Sequence, residues 1–203
     1  MVLPGVSQLG PAPSARERIV ATAYALFTRR GVRAVGMDQV IEGAGVAKAT
    51  LYRHFPTKND LVLAVLARRE QLWTYQLIEA QSRRRGKTPE EQLLAIFDVL
   101  YDWFHQCDDY DGCSFTRVLL EMGATHPTGM ASIEYMENFR DIVRHRAHEA
   151  GLLDVDNFAR CFHILIKGVM IAAAEGDDAA AQRGRDMARL LIEQHRPAVS
   201  HRI

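Results

Sequence analysis

Lys48, Thr50, Tyr52, Arg53 and His54 place an ammonium, two hydroxyls, a guanidinium and an imidazole within one short stretch of chain, and Lys58 follows shortly after. These groups suit phosphate oxygens and base edges. Lys48 and Tyr52 are four residues apart and share a face if the stretch is helical, with Thr50 and Arg53 beside them and His54 at the helix end. Lys58 opens the next helix, where its ammonium and the free backbone N–H groups both favour an anion. Gly36 and Ala49 complete the candidate DNA-contacting set. Catalysis has no comparable support. The chain has no nucleophile elbow, P-loop, dinucleotide fingerprint or HExxH pair, so it is read as a non-enzyme.

Such a face needs a rigid turn to present it. Two short helices, Met37–Ala44 and Lys48–His54, are predicted on either side of Gly45, the arrangement of a helix-turn-helix. Gly45 takes a left-handed conformation without steric cost, and Ala44 is small enough to let the helices approach. Val46, Leu51 and Phe55 then point inward. Upstream, Ser14 and Glu17 form a capping-box start for a helix carrying Ile19, Ala23, Leu26 and Phe27, which Gly31 stops. Thr57, with Asp60 three residues on, starts a long linking helix over 58–84. Thr88, Pro89 and Glu91 mark another start. Helical patterns recur at about 113–123, 128–150, 155–175 and 178–195, and no alternating run bounded by turns suggests a strand. The expected fold is all-α, about nine helices. A loose arm rich in proline and glycine is expected at 1–13, a DNA-binding domain at 14–60, and an effector-binding and dimerisation body at 61–203.

The 203 residues balance to zero net charge, but unevenly. Residues 1–60 hold eight basic and four acidic groups, whereas residues 86–203 hold twelve and nineteen. A basic end on an acidic body implies a polyanion at the basic end and its exclusion elsewhere. No apolar run approaches the ~18–20 residues that span a bilayer, and the N-terminus lacks the pattern of a secretory signal. Three cysteines do not make a disulfide framework, and a reducing cytoplasm is expected with no membrane association.

The stretch AGVAKATLYRHFPTKNDL, within a match from about Arg16 to Leu66, resembles the TetR family of repressors. The resemblance implies that Lys48, Thr50, Tyr52 and His54 lie on a recognition helix and that Lys58 grips phosphate. It further implies a helical C-terminal body that binds a small effector and dimerises. Two positions depart from the family pattern. Ala47 stands where Ser or Thr usually opens the recognition helix, and Val35-Gly36 stands where Ser or Thr usually opens the preceding one. Each change removes a cap worth ~1 kcal/mol, although glycine is itself tolerated there.

The body carries no motif of similar strength. Candidates for an effector pocket are Trp73, Trp103, Phe104, Cys107, Phe115, Leu119, Met122, Met136, Phe139, Phe162, Ile166 and Met170. Plain core packing is the competing reading for any one of them. Candidates for the dimer interface on the last two helices are Phe158, Phe162, Leu165, Val169, Met187, Leu190 and Leu191. The cluster His105, Cys107, Asp108, Asp109, Asp111 and Cys113 partly imitates a calcium loop, but Val118 occupies the place of its closing Glu. It lacks CxxC spacing for zinc, so no metal and no cofactor are expected. The expected partners are palindromic double-stranded DNA, a small apolar or aromatic effector, and a second copy of the chain. The alternatives are an all-α enzyme and a nucleoid-binding protein without an effector.

Overall fold

The computed structural model describes residues 12–106 and 112–198. Cys107, Asp108, Asp109 and Asp111, and most of the arm expected at 1–13, lie outside the described residues. The elements are α1 (Ala15–Arg30), α2 (Met37–Ala44), α3 (Lys48–His54), α4 (Lys58–Arg69), a π-helical segment (Glu70–Glu79), α5 (Ala80–Arg85), α6 (Pro89–Gln106), α7 (Ser114–Met122), α8 (Pro127–Glu149), α9 (Val155–Ala174) and α10 (Ala180–His195). The run from Lys58 to Arg85 is helical throughout. Counted as one element, it gives nine helices and no strand among the described residues. The π segment is a departure from the plain long helix expected, since π-helix normally occurs as single-turn bulges.

The chain forms two compact units. One takes in residues up to Arg69 with Ser114–Ile133, and the other takes in Glu70–Cys113 with the chain from Glu134 onward. In the first, α1 starts at the Ser14 capping box, where Ser14 Oγ accepts from Glu17 N–H at 3.2 Å and Glu17 accepts from Ser14 N–H at 2.7 Å. Ile19, Val20, Ala23 and Phe27 bury one face of α1 in a core shared with Val40, Leu51, Leu61 and Val65. Gly31 ends the helix with φ 80°. Helix α7 belongs to this unit. Arg117 donates to the Thr28 carbonyl at the end of α1, while Glu121 accepts from Val32 N–H at 2.9 Å and from Arg33 N–H.

In the second unit, α6, α9 and α10 pack around Phe97, Phe158 and Phe162. The Phe97 and Phe162 rings lie 5.3 Å apart. A Cβ at Gly184 of α10 would come 2.3 Å from Val169 Cγ2, so α9 and α10 approach each other closely there. Arg146 of α8 is 2% exposed. It donates to Ser82 Oγ at 2.7 Å and to the Glu79 and Gln92 carbonyls at 3.1 and 3.3 Å.

This packing corrects the expected dimer stripe. Phe158, Phe162 and Val169 are buried against α6 and α10 of their own chain, and Leu165 is half-buried. The outward apolar residues of α9 are Ile164 and Ile171. On α10, Met187 and Leu190 are exposed and Leu191 is half-buried. The physical reason is that α9 is apolar on more than one side, so its spacing admits two inward faces. By length and composition α9 also meets the requirement for a membrane span, which the reading of apolar runs had not picked out. Here its most apolar face packs against neighbouring helices of the chain.

Candidate nucleic-acid interface

The interface is built on the turn between α2 and α3. Helix α2 follows Gly36, whose N–H donates to Gln39 Oε1 at 3.0 Å, while glycine offers no side chain to accept from the first-turn amides. Its last turn closes at Gly45, which is left-handed at φ 60° and ψ 45°. Gly45 N–H donates to Glu42 O at 3.2 Å, and Val46 N–H reaches back to Ile41 O at 3.3 Å. Arg18 of α1 donates through Nε to the Ala44 carbonyl at 3.3 Å. The reversal is therefore satisfied by backbone and by α1.

Ala47 then opens α3 in extended geometry without a side-chain cap. Its carbonyl accepts from Thr50 N–H at 2.9 Å and Leu51 N–H at 3.2 Å. Packing compensates for the absent cap: Leu51 is fully buried and Phe55 nearly so, and the Arg16 guanidinium lies 5.4 Å from the Phe55 ring centre. With Leu51 and Phe55 inward, Lys48, Ala49, Tyr52 and Arg53 face outward and are exposed, while Thr50 and His54 are half-buried. Beyond Pro56, Thr57 and Asp60 cap α4 reciprocally. Asp60 N–H donates to Thr57 Oγ1 at 3.2 Å, and Thr57 N–H donates to Asp60 Oδ2 at 2.9 Å. This fixes half-buried Lys58 at the start of α4. Burial pushes the Lys58 ammonium pKa below its ordinary value, and the Glu121 charge opposes that shift.

The arrangement presents an ammonium, a phenol and a guanidinium on a short helix narrow enough for a major groove. The family described as "Bacterial regulatory proteins, tetR family" matches residues 19–65, which contain the whole of this turn. Over 126 residues the chain is 43% identical to the transcriptional activator FasR of Mycolicibacterium smegmatis, covering 61% of this chain and 54% of that one. Over 86 residues it is 37% identical to the transcriptional repressor KstR of Rhodococcus jostii, covering 42% of this chain and 38% of that one. The chain thus matches about half, or less, of the length of these relatives. A solved TetR-family transcriptional regulator from Streptomyces coelicolor superposes with a TM-score of 0.81 at 26% identity, covering 90% of this chain and 96% of that chain. The helix-turn-helix segment of the chain is similar to the TetR family, and the fold is that of solved TetR-family regulators. These relatives and this solved structure are named as transcription regulators.

Three residues of this unit escaped the sequence reading. Asp38, in the first turn of α2, lies 3.7 Å from Lys48 Nζ, with both side chains well exposed. Its position in the first turn was the available signal. Gly43 allows α1 and α2 to approach, since a Cβ there would meet Thr22 Cγ2 at 2.8 Å. Glu121 accepts the amides of Val32 and Arg33 across 88 or more residues of sequence, and nothing local marks it.

The effector candidates divide between the two units. Phe115, Leu119 and Met122 lie on α7 in the first. Trp73, Trp103, Phe104, Met136, Phe139, Phe162, Ile166 and Met170 lie in the second. There the Trp73 ring is 6.1 Å from Trp103 and 6.0 Å from Phe139, and Trp103 is 5.7 Å from Phe104. Cys107 lies outside the described residues. Among the described residues no group of His, Cys, Asp and Glu side chains is arranged to hold a metal ion.

Proposed function

We propose that this chain is a sequence-specific DNA-binding transcriptional regulator. In this reading it binds a palindromic operator as a homodimer and acts as a repressor released by a small apolar or aromatic effector. The observation that carries the reading is the outward face of α3, where Lys48, Tyr52 and Arg53 stand exposed on a helix anchored by buried Leu51 and Phe55. One such helix covers only a few base pairs, and a two-fold dimer presents two of them to half-sites one helical turn apart, ~34–36 Å. Ile164, Ile171, Met187 and Leu190 supply exposed apolar surface on α9 and α10 for a second copy. The aromatic group of Trp73, Trp103 and Phe139 supplies the chemistry for an effector.

Selection from random duplex DNA tests the reading. It is expected to return a two-fold symmetric site bound by a dimer. Charged substitutions at Ile171 and Leu190 are expected to shift the protein to monomer in sedimentation and to abolish tight binding to that site. Recovery of no sequence preference, with binding that follows salt alone, would favour a nucleoid-type protein and overturn the reading.

A further inference from the structure

Glu70 opens the π-helical segment and is 7% exposed. Its Oε1 accepts from Asn138 Nδ2 at 2.6 Å. Among the described residues no Lys, Arg or His lies within ion-pair distance of it. Burying a carboxylate without a cation is costly. One helical turn on, Thr74 is fully buried and its hydroxyl has no hydrogen-bond partner among the described residues. Between these two positions Trp73 turns into the aromatic group, 6.0 Å from Phe139, which adjoins Asn138 in the chain. The phenols of Tyr135 and Tyr75 are both pushed up, first by burial and then by the negative charge of Glu70. Nearby cations are already engaged: Arg140 donates to Glu137 Oε2 at 2.8 Å and contacts His163 Nδ1 at 3.0 Å.

A buried carboxylate, an unpaired hydroxyl and the Trp73 ring lie within one short stretch of this unit, with Phe139 beside that ring, and these are the groups that would recognise a desolvated organic cation. The carboxylate balances the charge, the hydroxyl accepts a hydrogen bond, and the ring faces attract the cation through their quadrupoles. A neutral apolar ligand would leave Glu70 uncompensated, and an anion would be repelled by it. We propose that the effector of this protein is an organic cation bearing an aromatic or apolar group, held with its positive charge at Glu70 and its apolar part against Trp73 and Phe139. This inference rests on the reading of the second unit as the effector-binding body.

The two tryptophans of the chain, Trp73 and Trp103, both lie in this aromatic group, so intrinsic fluorescence reports directly on it. The full-length protein is titrated with phenyltrimethylammonium and with tert-butylbenzene, its neutral isostere. The cation is expected to bind at least about tenfold more tightly, a preference of the size that a desolvated cation–π contact supplies. Glu70→Gln, which keeps an acceptor for Asn138, is expected to reduce that ratio to about one. Thr74→Val, which keeps the side-chain shape, is expected to weaken the binding of a primary-ammonium analogue, benzylammonium, more than that of phenyltrimethylammonium. Equal or tighter binding of tert-butylbenzene by the unsubstituted protein overturns the proposal without needing any variant, as does a preference that survives Glu70→Gln. If only the neutral compound binds and releases operator DNA, the effector-binding reading stands and the cation proposal fails. If neither compound binds, both fail at this site.

Discussion

The two compact units handle charge differently. In the first, the cations of α3 stand in water on an outward face above an apolar core, and buried Arg69 donates to the Tyr24 hydroxyl at 2.7 Å. In the second, Arg146, Glu70 and His163 are buried inside the unit. Exposed cations cost little to maintain and gain energy when a polyanion arrives and counterions leave. Buried charges cost several kcal/mol unless fixed dipoles compensate them. The first unit is therefore built for a partner outside it. The second depends on internal hydrogen bonds, and its chemistry becomes visible only where the compensation is incomplete, as at Glu70.

Breaking the internal compensation gives the largest expected effect. Arg146 donates to Ser82 Oγ and to the Glu79 and Gln92 carbonyls, so Arg146→Met removes three hydrogen bonds that tie α8 to the π segment, α5 and α6. Stability is expected to fall by about 1–3 kcal/mol, read as a lower urea midpoint. A midpoint unchanged from the unsubstituted protein would mean that the clamp contributes nothing.

A smaller effect comes from pH. His163 is held neutral: its pKa is pulled down to about 3, chiefly by burial and also by the charges of Lys167 and Arg140, with Glu137 opposing. The unfolded chain binds this proton near the ordinary histidine value of about 6.5. The stabilisation is therefore fully present above about 6.5 and is lost as pH falls towards 3, over a range worth up to a few kcal/mol. Glu137 itself is held down to about 2, first by the Arg140 hydrogen bond, so its own loss on acidification comes lower in pH. His163→Gln is expected to flatten the stability profile between pH 6.5 and 4, and an unchanged slope would refute this account of the imidazole.

The smallest effect sharpens the comparison from the first unit. Asp38 and Lys48 form an exposed pair at 3.7 Å, worth less than about 1 kcal/mol. Asp38→Asn is expected to tighten DNA binding slightly, most clearly at low salt, by freeing Lys48 and removing a negative charge from the face. Weaker binding would show instead that Asp38 orients Lys48.

The helix starts and the turn within residues 14–60 were legible in the sequence because their instructions are local. Ser14 with Glu17, Gly45, and Thr57 with Asp60 each lie within a few residues of the groups they satisfy. What escaped depends on distance or on degeneracy. Glu121 reaches amides 88 and 89 residues away. The π segment carries the same apolar residues that an ordinary helix would, so composition does not separate the two. Helix α9 holds Phe158, Phe162 and Val169 on one side and Ile164 and Ile171 on another, and periodicity alone does not choose which side faces inward.

The central claim is that the outward face of α3 reads DNA. Its most direct test is the affinity of Lys48→Ala, Tyr52→Ala and Lys58→Ala for the selected operator across a salt series. Lys48→Ala and Tyr52→Ala are each expected to weaken operator binding by ~1–3 kcal/mol. Lys58→Ala is expected to weaken all sequences about equally and to lower the salt slope by about 1. Unchanged operator affinity in all three folded variants would contradict the claim.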